Sequence, residues 1–174
     1  MRFKSAFPPF CAAFMLLIAG LSGSVLAQVF VESLDWKESE VPPPPAFDVA
    51  RLLTFDGSGA TSMVYGVDPA SVSISRSDSL VRYVLVATSP SGVRNVMYEA
   101  IRCATGEFKT YARYTPDGRW QPVTDPQWRS VFANMPSKHA LAFAQSGACD
   151  AAAPATSVRE LVYKLKNQHR YLDQ

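Results

Sequence analysis

The chain has 174 residues and carries 17 basic and 15 acidic side chains, which gives a formal net charge of +2. Its length suits a single domain behind an N-terminal leader, since domains usually hold about 100 to 200 residues. Two of the basic residues, Arg2 and Lys4, lie in that leader, so 15 residues of each sign remain without it. A balanced charge gives no electrostatic footprint for nucleic acid, and we expect no nucleic-acid partner.

Residues 1–27 have the three-part layout of a cleavable secretory signal peptide. A basic start precedes an apolar stretch at 10–21, and Val25-Leu26-Ala27 forms a small-residue cleavage site. An uncleaved anchor would need about 20 apolar residues, and glycines and serines interrupt this run. We therefore expect cleavage after Ala27, no membrane span in the mature protein, and a periplasmic location.

Cleavage removes Cys11 and leaves Cys103 and Cys149 as a pair. In an oxidising compartment such a pair is expected to form a disulfide, which would close a loop of about 45 residues and stabilise the fold by about 4 kcal/mol. Two buried thiols are the alternative. The two histidines, His139 and His169, are distant from these cysteines in sequence and lack the spacing of a zinc site, so we expect no metal and no cofactor.

Residues 28–46 form an extended, proline-rich leading segment ahead of a domain at 47–174. Pro42 to Pro45 are consecutive and favour polyproline II over a strand or helix. The segment is expected to be a stiff connector on the domain surface, although such a run could also dock in an aromatic groove. Trp36 is expected to pack against the domain.

The pattern from Leu52 to Tyr114 is that of short strands. Leu80 to Thr88 is the strongest and has apolar residues on both faces, which predicts a central strand. Turn residues separate it from strands at Arg94 to Cys103 and Glu107 to Tyr114, so the three should form an antiparallel meander. Weaker strand candidates precede them at residues 52–56, 63–67 and 71–75.

Helix signals follow Trp120. Asp125-Pro126 resembles an N-cap followed by a first-turn proline and predicts a short helix at 127–133. Pro136-Ser137 predicts a second across 138–145. Ser157 and Glu160 have capping-box spacing before a clearly amphipathic helix. The expected fold is α+β, with an antiparallel sheet of about four to six strands, C-terminal helices packed on it and one disulfide.

A charged group on the predicted sheet is the candidate ligand site. Arg82, Glu99 and Arg102 lie on adjacent strands, and two guanidinium groups flanking a carboxylate could bind a small anionic ligand. The alternative is a structural ion pair that anchors the sheet.

Aromatic residues in the same region could form a carbohydrate or peptide platform, although core packing is the more usual role. They are Tyr83, Tyr98, Tyr111, Trp120 and Trp128.

No recognised catalytic motif is present in the sequence, so we predict no catalytic residues and no enzyme activity. A hydrolase would need His139 to lie in a cleft beside a serine and a carboxylate.

Several strings, in order and with matching spacing, resemble the cryptic neisserial protein (CNP-one-like) family of exported bacterial proteins. They are Trp36-Lys37-Glu38, Pro42 to Pro45, Val67-Asp68-Pro69 with Ser71, Val81-Arg82-Tyr83, Asn95 with Tyr98-Glu99, Ile101-Arg102-Cys103, Tyr111-Ala112, Trp120 and Trp128. Ala100 departs from the pattern, which has glycine there. The resemblance implies export to the envelope of a Gram-negative bacterium and supplies no reaction.

The sequence therefore predicts a non-catalytic periplasmic binding or interaction module whose partner is an envelope protein or a small anionic ligand. A periplasmic hydrolase and a structural envelope component that uses the proline segment as a strap are the alternatives.

Overall fold

An antiparallel sheet built around residues 80–114 organises the structure, a computed structural model that describes residues 35–57 and 62–172, with side chains to Asn167. These residues belong to one compact unit, 32–174. The expected signal peptide and its cleavage site lie outside the described residues. No helix in the described ranges is both long and apolar enough to span a bilayer.

Six strands form the main path of the sheet and two short ones extend it. In chain order, the sheet strands are β1 (Leu53–Phe55), β2 (Val64–Val67), β3 (Ser73–Ile74), β4 (Leu80–Thr88), β5 (Arg94–Arg102), β6 (Glu107–Tyr114), β7 (Trp120–Pro122) and β8 (Arg129–Ser130). The spatial order is β1-β2-β4-β5-β6-β7, with β3 paired to β4 and β8 paired to β6. Every pairing is antiparallel, as the short turns of the meander predict.

Strand β4 is central, and its two faces belong to two different apolar clusters. Residues 80–87 are all buried. Val81, Tyr83 and Leu85 face a cluster that includes the helices, and we call this side the helix face. Leu80 and Val84 face the opposite side, where aromatic residues from β5 to β7 gather. The prediction that both faces of this strand are covered is confirmed.

A bulge between β5 and β6 decides which side chains reach each face. Tyr98 pairs with Ala112, but Glu99 pairs with Thr110, so Tyr111 has no direct partner. An extra residue in one strand bends it and changes the direction of its side chains. Thr110 consequently meets Glu99 on the helix face, while Tyr111 packs against Tyr98 on the other.

Two helices, α1 (His139–Phe143) and α2 (Val158–Leu172), cover the helix face. Phe143 is fully buried, with its ring centroid 4.3 Å from that of Tyr83. Leu161 and Leu165 of α2 are 0% and 2% exposed. The apolar spacing of α2 therefore does place one stripe of the helix in the core.

The predicted capping box of α2 is half present, and α1 is shorter than the predicted 138–145 and has no side-chain cap. The Glu160 amide donates to Ser157 Oγ at 3.2 Å, which is half of a capping box. The Glu160 carboxylate accepts instead from Thr156. Helix α1 runs into an irregular turn, Ala144–Ala148, where Gly147 has φ +119° and a Cβ would lie 2.6 Å from Lys164 Cβ. Only glycine permits both that backbone and this close approach of α2.

The helix predicted at 127–133 is wrong. Asp125 has φ +68°, whereas an N-cap residue is normally extended. Its carboxylate accepts from the Gln127 side chain at 2.6 Å rather than from a backbone amide. Arg129–Ser130 instead forms strand β8, which pairs with β6. This sheet pairing outweighs the local N-cap signal.

The Cys103–Cys149 disulfide is present, as predicted, with Cα atoms 5.6 Å apart and a sequence separation of 46. It joins the end of β5 to β9 (Cys149–Asp150), which pairs with β10 (Ala153–Pro154) ahead of α2. The bridge therefore connects the sheet to the segment that positions the last helix.

Replacing both cysteines by alanine should lower the free energy of unfolding by roughly 2–4 kcal/mol, because the unfolded chain regains the entropy of an open loop. Urea denaturation of the oxidised protein and the double variant measures the difference. Equal midpoints would show that the bridge does not constrain the unfolded state.

Candidate functional site

Residues 35–48, which we call the strap, lie across the sheet face opposite the helices, which we call the strap face. They have no helix or strand. Trp36 is held between two side chains: Arg102 Cζ lies 3.6 Å from its ring centroid, and the Trp128 ring meets it edge-on at 5.9 Å. The indole Nε1 donates to the Asp78 carbonyl at 2.9 Å. Cation–π contacts contribute from about 0.5 to 2 kcal/mol as they become desolvated, so Trp36 is a firm anchor, as expected.

Glu38 provides the second contact of the strap. Its carboxylate accepts from Lys109 Nζ at 2.5 Å and from the Tyr111 hydroxyl. The Lys109 and Glu38 side chains are 13% and 16% exposed, so this pair is better shielded from solvent than an ordinary surface ion pair. Burial, and then the hydrogen bond to Glu38 and its charge, raise the pKa of Tyr111, which keeps its hydroxyl protonated as a donor.

Ser39 connects the strap to a buried ion pair. Asp78 Oδ2 accepts from Arg82 Nη2 at 2.6 Å, from the Ser39 amide at 3.0 Å and from the Ser39 hydroxyl. Asp78 and Arg82 are both 2% exposed. Burial raises the pKa of Asp78, but the hydrogen bonds from Arg82 and Ser39 outweigh this and hold the pKa well below its ordinary value. The Asp78 carboxyl group is therefore ionised in the folded protein at neutral pH.

A separate set of contacts holds the other end of the strap. The Phe47 ring packs edge-on against Tyr114 at 5.2 Å and Trp120 at 5.9 Å. The Asp48 amide donates to Asp68 Oδ2 at 2.8 Å, and Arg51 Nη2 lies 3.2 Å from the same oxygen. The strap is thus anchored at both ends.

The proline run between these anchors lies beside an aromatic part of the sheet. An open groove of about 310 Å³ lies where the strap meets the sheet. It is lined by Val41, Pro42, Pro43, Pro44, Tyr98, Tyr111, Ala112, Trp120 and Pro122. Prolines have no amide donor, so the middle of the strap depends on side-chain contact rather than on backbone hydrogen bonds.

The helix face carries a second polar cluster, centred on Glu99. This residue is 0% exposed. Its Oε2 accepts from the Tyr83 hydroxyl at 3.0 Å and lies 2.9 Å from His139 Nε2, and its Oε1 accepts from the Thr110 hydroxyl at 2.8 Å. Burial raises the pKa of Glu99, but the charge and hydrogen bonds of His139, Thr110 and Tyr83 give a net lowering. The cluster holds an ionised carboxylate inside the core.

The same cluster continues to a serine and a second tyrosine. His139 Nδ1 lies 2.8 Å from Ser137 Oγ, which lies 2.9 Å from the Tyr65 hydroxyl. A serine, a histidine and a carboxylate in hydrogen-bonded sequence are the groups of a hydrolase triad. Here the histidine and carboxylate are buried, and the serine oxygen already bonds to Tyr65. The arrangement ties α1 to the sheet.

The three residues predicted as one ligand site do not meet. Arg82 pairs across the sheet with Ala100, and Tyr83 pairs with Glu99, so pleating directs Arg82 and Glu99 to opposite faces. Arg102 faces the strap with Arg82. Alternation separates Glu99 from Arg102, which lie three residues apart on one strand, but it could not separate Glu99 from Arg82 without the register between β4 and β5.

The sequence interpretation missed the partners that complete each cluster. Asp78 and Lys109 on the strap face, and Thr110 and Ser137 on the helix face, come from turns and strands whose register the sequence does not fix. The string Trp36-Lys37-Glu38 is the sequence feature that could have indicated this site, because the strap face binds its aromatic and acidic side chains. Of the five aromatic platform candidates, Tyr83 lies on the helix face, and the other four lie on the strap face.

No group of three or more histidine, cysteine, aspartate or glutamate side chains in the described ranges is arranged to bind a metal ion. The His169 side chain lies outside the described residues.

The sequence matches one protein family along most of its length. The model of the CNP1-like family matches residues 31–166. No curated protein and no solved structure matches the chain. The matched range includes the strap, both polar clusters and the disulfide.

Replacing Glu99 by glutamine should destabilise the protein at pH 7 by roughly 2 kcal/mol, because Tyr83 and Thr110 would lose the stronger hydrogen bonds that an ionised acceptor makes. Because the folded pKa of Glu99 lies below the ordinary 4.5, its contribution is present above that value and is lost as the pH falls below it. Urea unfolding of the parent and the variant from pH 7 to pH 3 measures this. The difference between their free energies of unfolding should become smaller in acid.

Glu40→Gln is the matched control, since Glu40 is exposed on the strap and should change stability by less than about 0.5 kcal/mol. A Glu99→Gln protein as stable as this control at pH 7 would contradict a structural role for the buried carboxylate.

Proposed function

We propose that this chain, which belongs to the CNP1-like family, is a non-catalytic interaction module of the periplasm. In this proposal it recognises an extended segment of an envelope protein. The segment carries an aromatic residue, a nearby carboxylate and prolines. The strap is the protein's own copy of such a segment and occupies the site when no partner is bound.

One observation supports the proposal above the others: the strap face binds Trp36 and Glu38 in the way a receptor binds a peptide. Arg102 and Trp128 hold the indole, while Lys109 and Tyr111 hold the carboxylate. Aromatic anchors in desolvated pockets and charge-assisted hydrogen bonds are the main sources of peptide affinity. The proline run beside the aromatic part of the sheet adds a third contact of a kind that peptide-binding domains use.

The accessibility of the strap supports displacement rather than permanent packing. An open groove of about 310 Å³ runs along the prolines and is bordered by Tyr98 and Trp120. The strap contains no residue that is fully buried. A partner segment can therefore compete for each contact in turn, without first opening the core.

Export rests on two further observations. Residues 1–27 have a signal-peptide layout, and the Cys103–Cys149 disulfide suits an oxidising compartment. The anionic ligand expected from the sequence becomes, in this proposal, the carboxylate of a peptide.

A labelled peptide of residues 35–48 tests the proposal. It should bind a variant with Trp36→Ala and Glu38→Ala at least tenfold more tightly than it binds the parent, because a tethered strap competes at an effective concentration on the order of millimolar. Fluorescence anisotropy measures both affinities, and circular dichroism confirms that the variant is folded. Glu38→Ala alone is a milder variant if the double change unfolds the chain.

Two controls make the result specific. Adding Lys109→Ala to the variant should abolish the gain, and a peptide carrying the same two alanines should not bind. A folded variant that binds the peptide no better than the parent does would contradict the proposal.

A hydrolase is the second candidate, because Ser137, His139 and Glu99 are hydrogen-bonded in series. Ser137 Oγ would attack the carbonyl carbon of the substrate, and His139 would accept the serine proton and pass it to the leaving group. Labelling of Ser137 by a fluorophosphonate, with no labelling of a Ser137→Ala variant, would establish a reactive serine. An unlabelled Ser137 in the folded protein supports the interaction module instead.

A further inference from the structure

The helix side of the molecule has an open cleft that none of the contacts described above uses. Its volume is about 440 Å³, within the range of about 300–1,000 Å³ typical of small-molecule sites. It lies between the turn after β5, the residues after β8 and helix α1, with both cysteines of the disulfide in its wall. The strap face is on the other side of the sheet, so this cleft is independent of the proposed peptide site.

The lining of the cleft is uncharged. Leu141 and Ala144 provide half-buried aliphatic surface above the buried side chains of Ile101 and Val131, and small residues such as Ala104 and Ala152 lie around them. None of the described residues that line the cleft is acidic or basic. A charged ligand group would lose its hydration here without gaining a counter-ion, whereas a hydrocarbon group would lose only unfavourable contact with water.

The walls of the cleft are fixed before any ligand arrives. The Cys103–Cys149 bridge joins two of them. The Val131 amide donates to the Gly106 carbonyl at 2.9 Å, which ties the residues after β8 to the turn after β5. A preformed cavity binds with little loss of conformational entropy.

One large apolar side chain stands exposed at the rim. Phe132 is 68% exposed and packs over Gly106, where a Cβ would lie 2.9 Å from its ring. A protein partner would usually bury roughly 800 Å² on each side. A single exposed aromatic beside a concave, uncharged lining suits a smaller molecule.

We propose that this cleft is a binding site for the hydrocarbon part of an uncharged small molecule, with Phe132 covering part of the bound group. Leu141 and Ala144 provide its accessible aliphatic surface, and the disulfide joins two of its walls.

The neutral fluorescent probe N-phenyl-1-naphthylamine tests this with the purified, oxidised protein. The probe should bind saturably with increased emission. Ala104→Trp places a bulky ring in the cleft from an exposed position and should weaken binding at least tenfold. Leu141→Asp introduces a charge into the lining and should weaken it similarly. Ala70→Trp, on an exposed turn outside the cleft, is the matched control and should bind as the parent does.

Thermal unfolding shows which variants are folded. If Leu141→Asp is unfolded, the comparison of Ala104→Trp with the parent decides the test. Absence of saturable binding to the parent, or equal binding by Ala104→Trp, overturns the proposal. So does a dimer of the parent that Ala104→Trp converts to monomer, because the occupant would then be a second copy of the chain.

Discussion

An antiparallel sheet with apolar side chains on both faces has to be covered on both, and this constraint governs the structure. Helices α1 and α2 follow the sheet in sequence, and they cover the face that carries Tyr83 and Ile101. Tyr98 and Tyr111 on the other face are buried because the strap lies over them. An extended segment contacts this face through backbone amides as well as side chains, as Ser39 and Glu38 do. That is why the strap resembles a bound peptide.

The same constraint explains why the polar groups are buried in two separate clusters. Asp78 near the strap and Glu99 near the helices are carboxylates that are nearly inaccessible to water. Each is surrounded by donors that keep it ionised, Arg82 and Ser39 in one case and His139, Thr110 and Tyr83 in the other. Buried charges are tolerated only when they are paired and hydrogen-bonded in this way. The two clusters attach the two coverings to one sheet.

Local patterns in the sequence predicted the individual strands and helices better than they predicted how these pair and pack against one another. Leu80 to Thr88 and the amphipathic helix after Ser157 could be predicted because their apolar spacing reflects how they are buried, and the disulfide because one cysteine pair remained. The helix at 127–133 could not be excluded, because pairing of Arg129 with Phe108 is a long-range contact that leaves no local trace. Separation of Glu99 from Arg82 likewise depends on register, whereas alternation along one strand already separates Glu99 from Arg102. The bulge at Tyr111 is set by packing on both faces.

Amide hydrogen exchange at Ser39 tests most directly whether the strap covers the sheet as a bound segment. Its amide donates to Asp78 Oδ2 at 3.0 Å and has no strand partner, so it is protected only while the strap is attached. Local opening of a segment sets the exchange rate of such an amide. The account predicts that Ser39 exchanges much more slowly in the protein than in a free peptide of residues 35–48. Exchange at the same rate in both would show that the strap does not close this face.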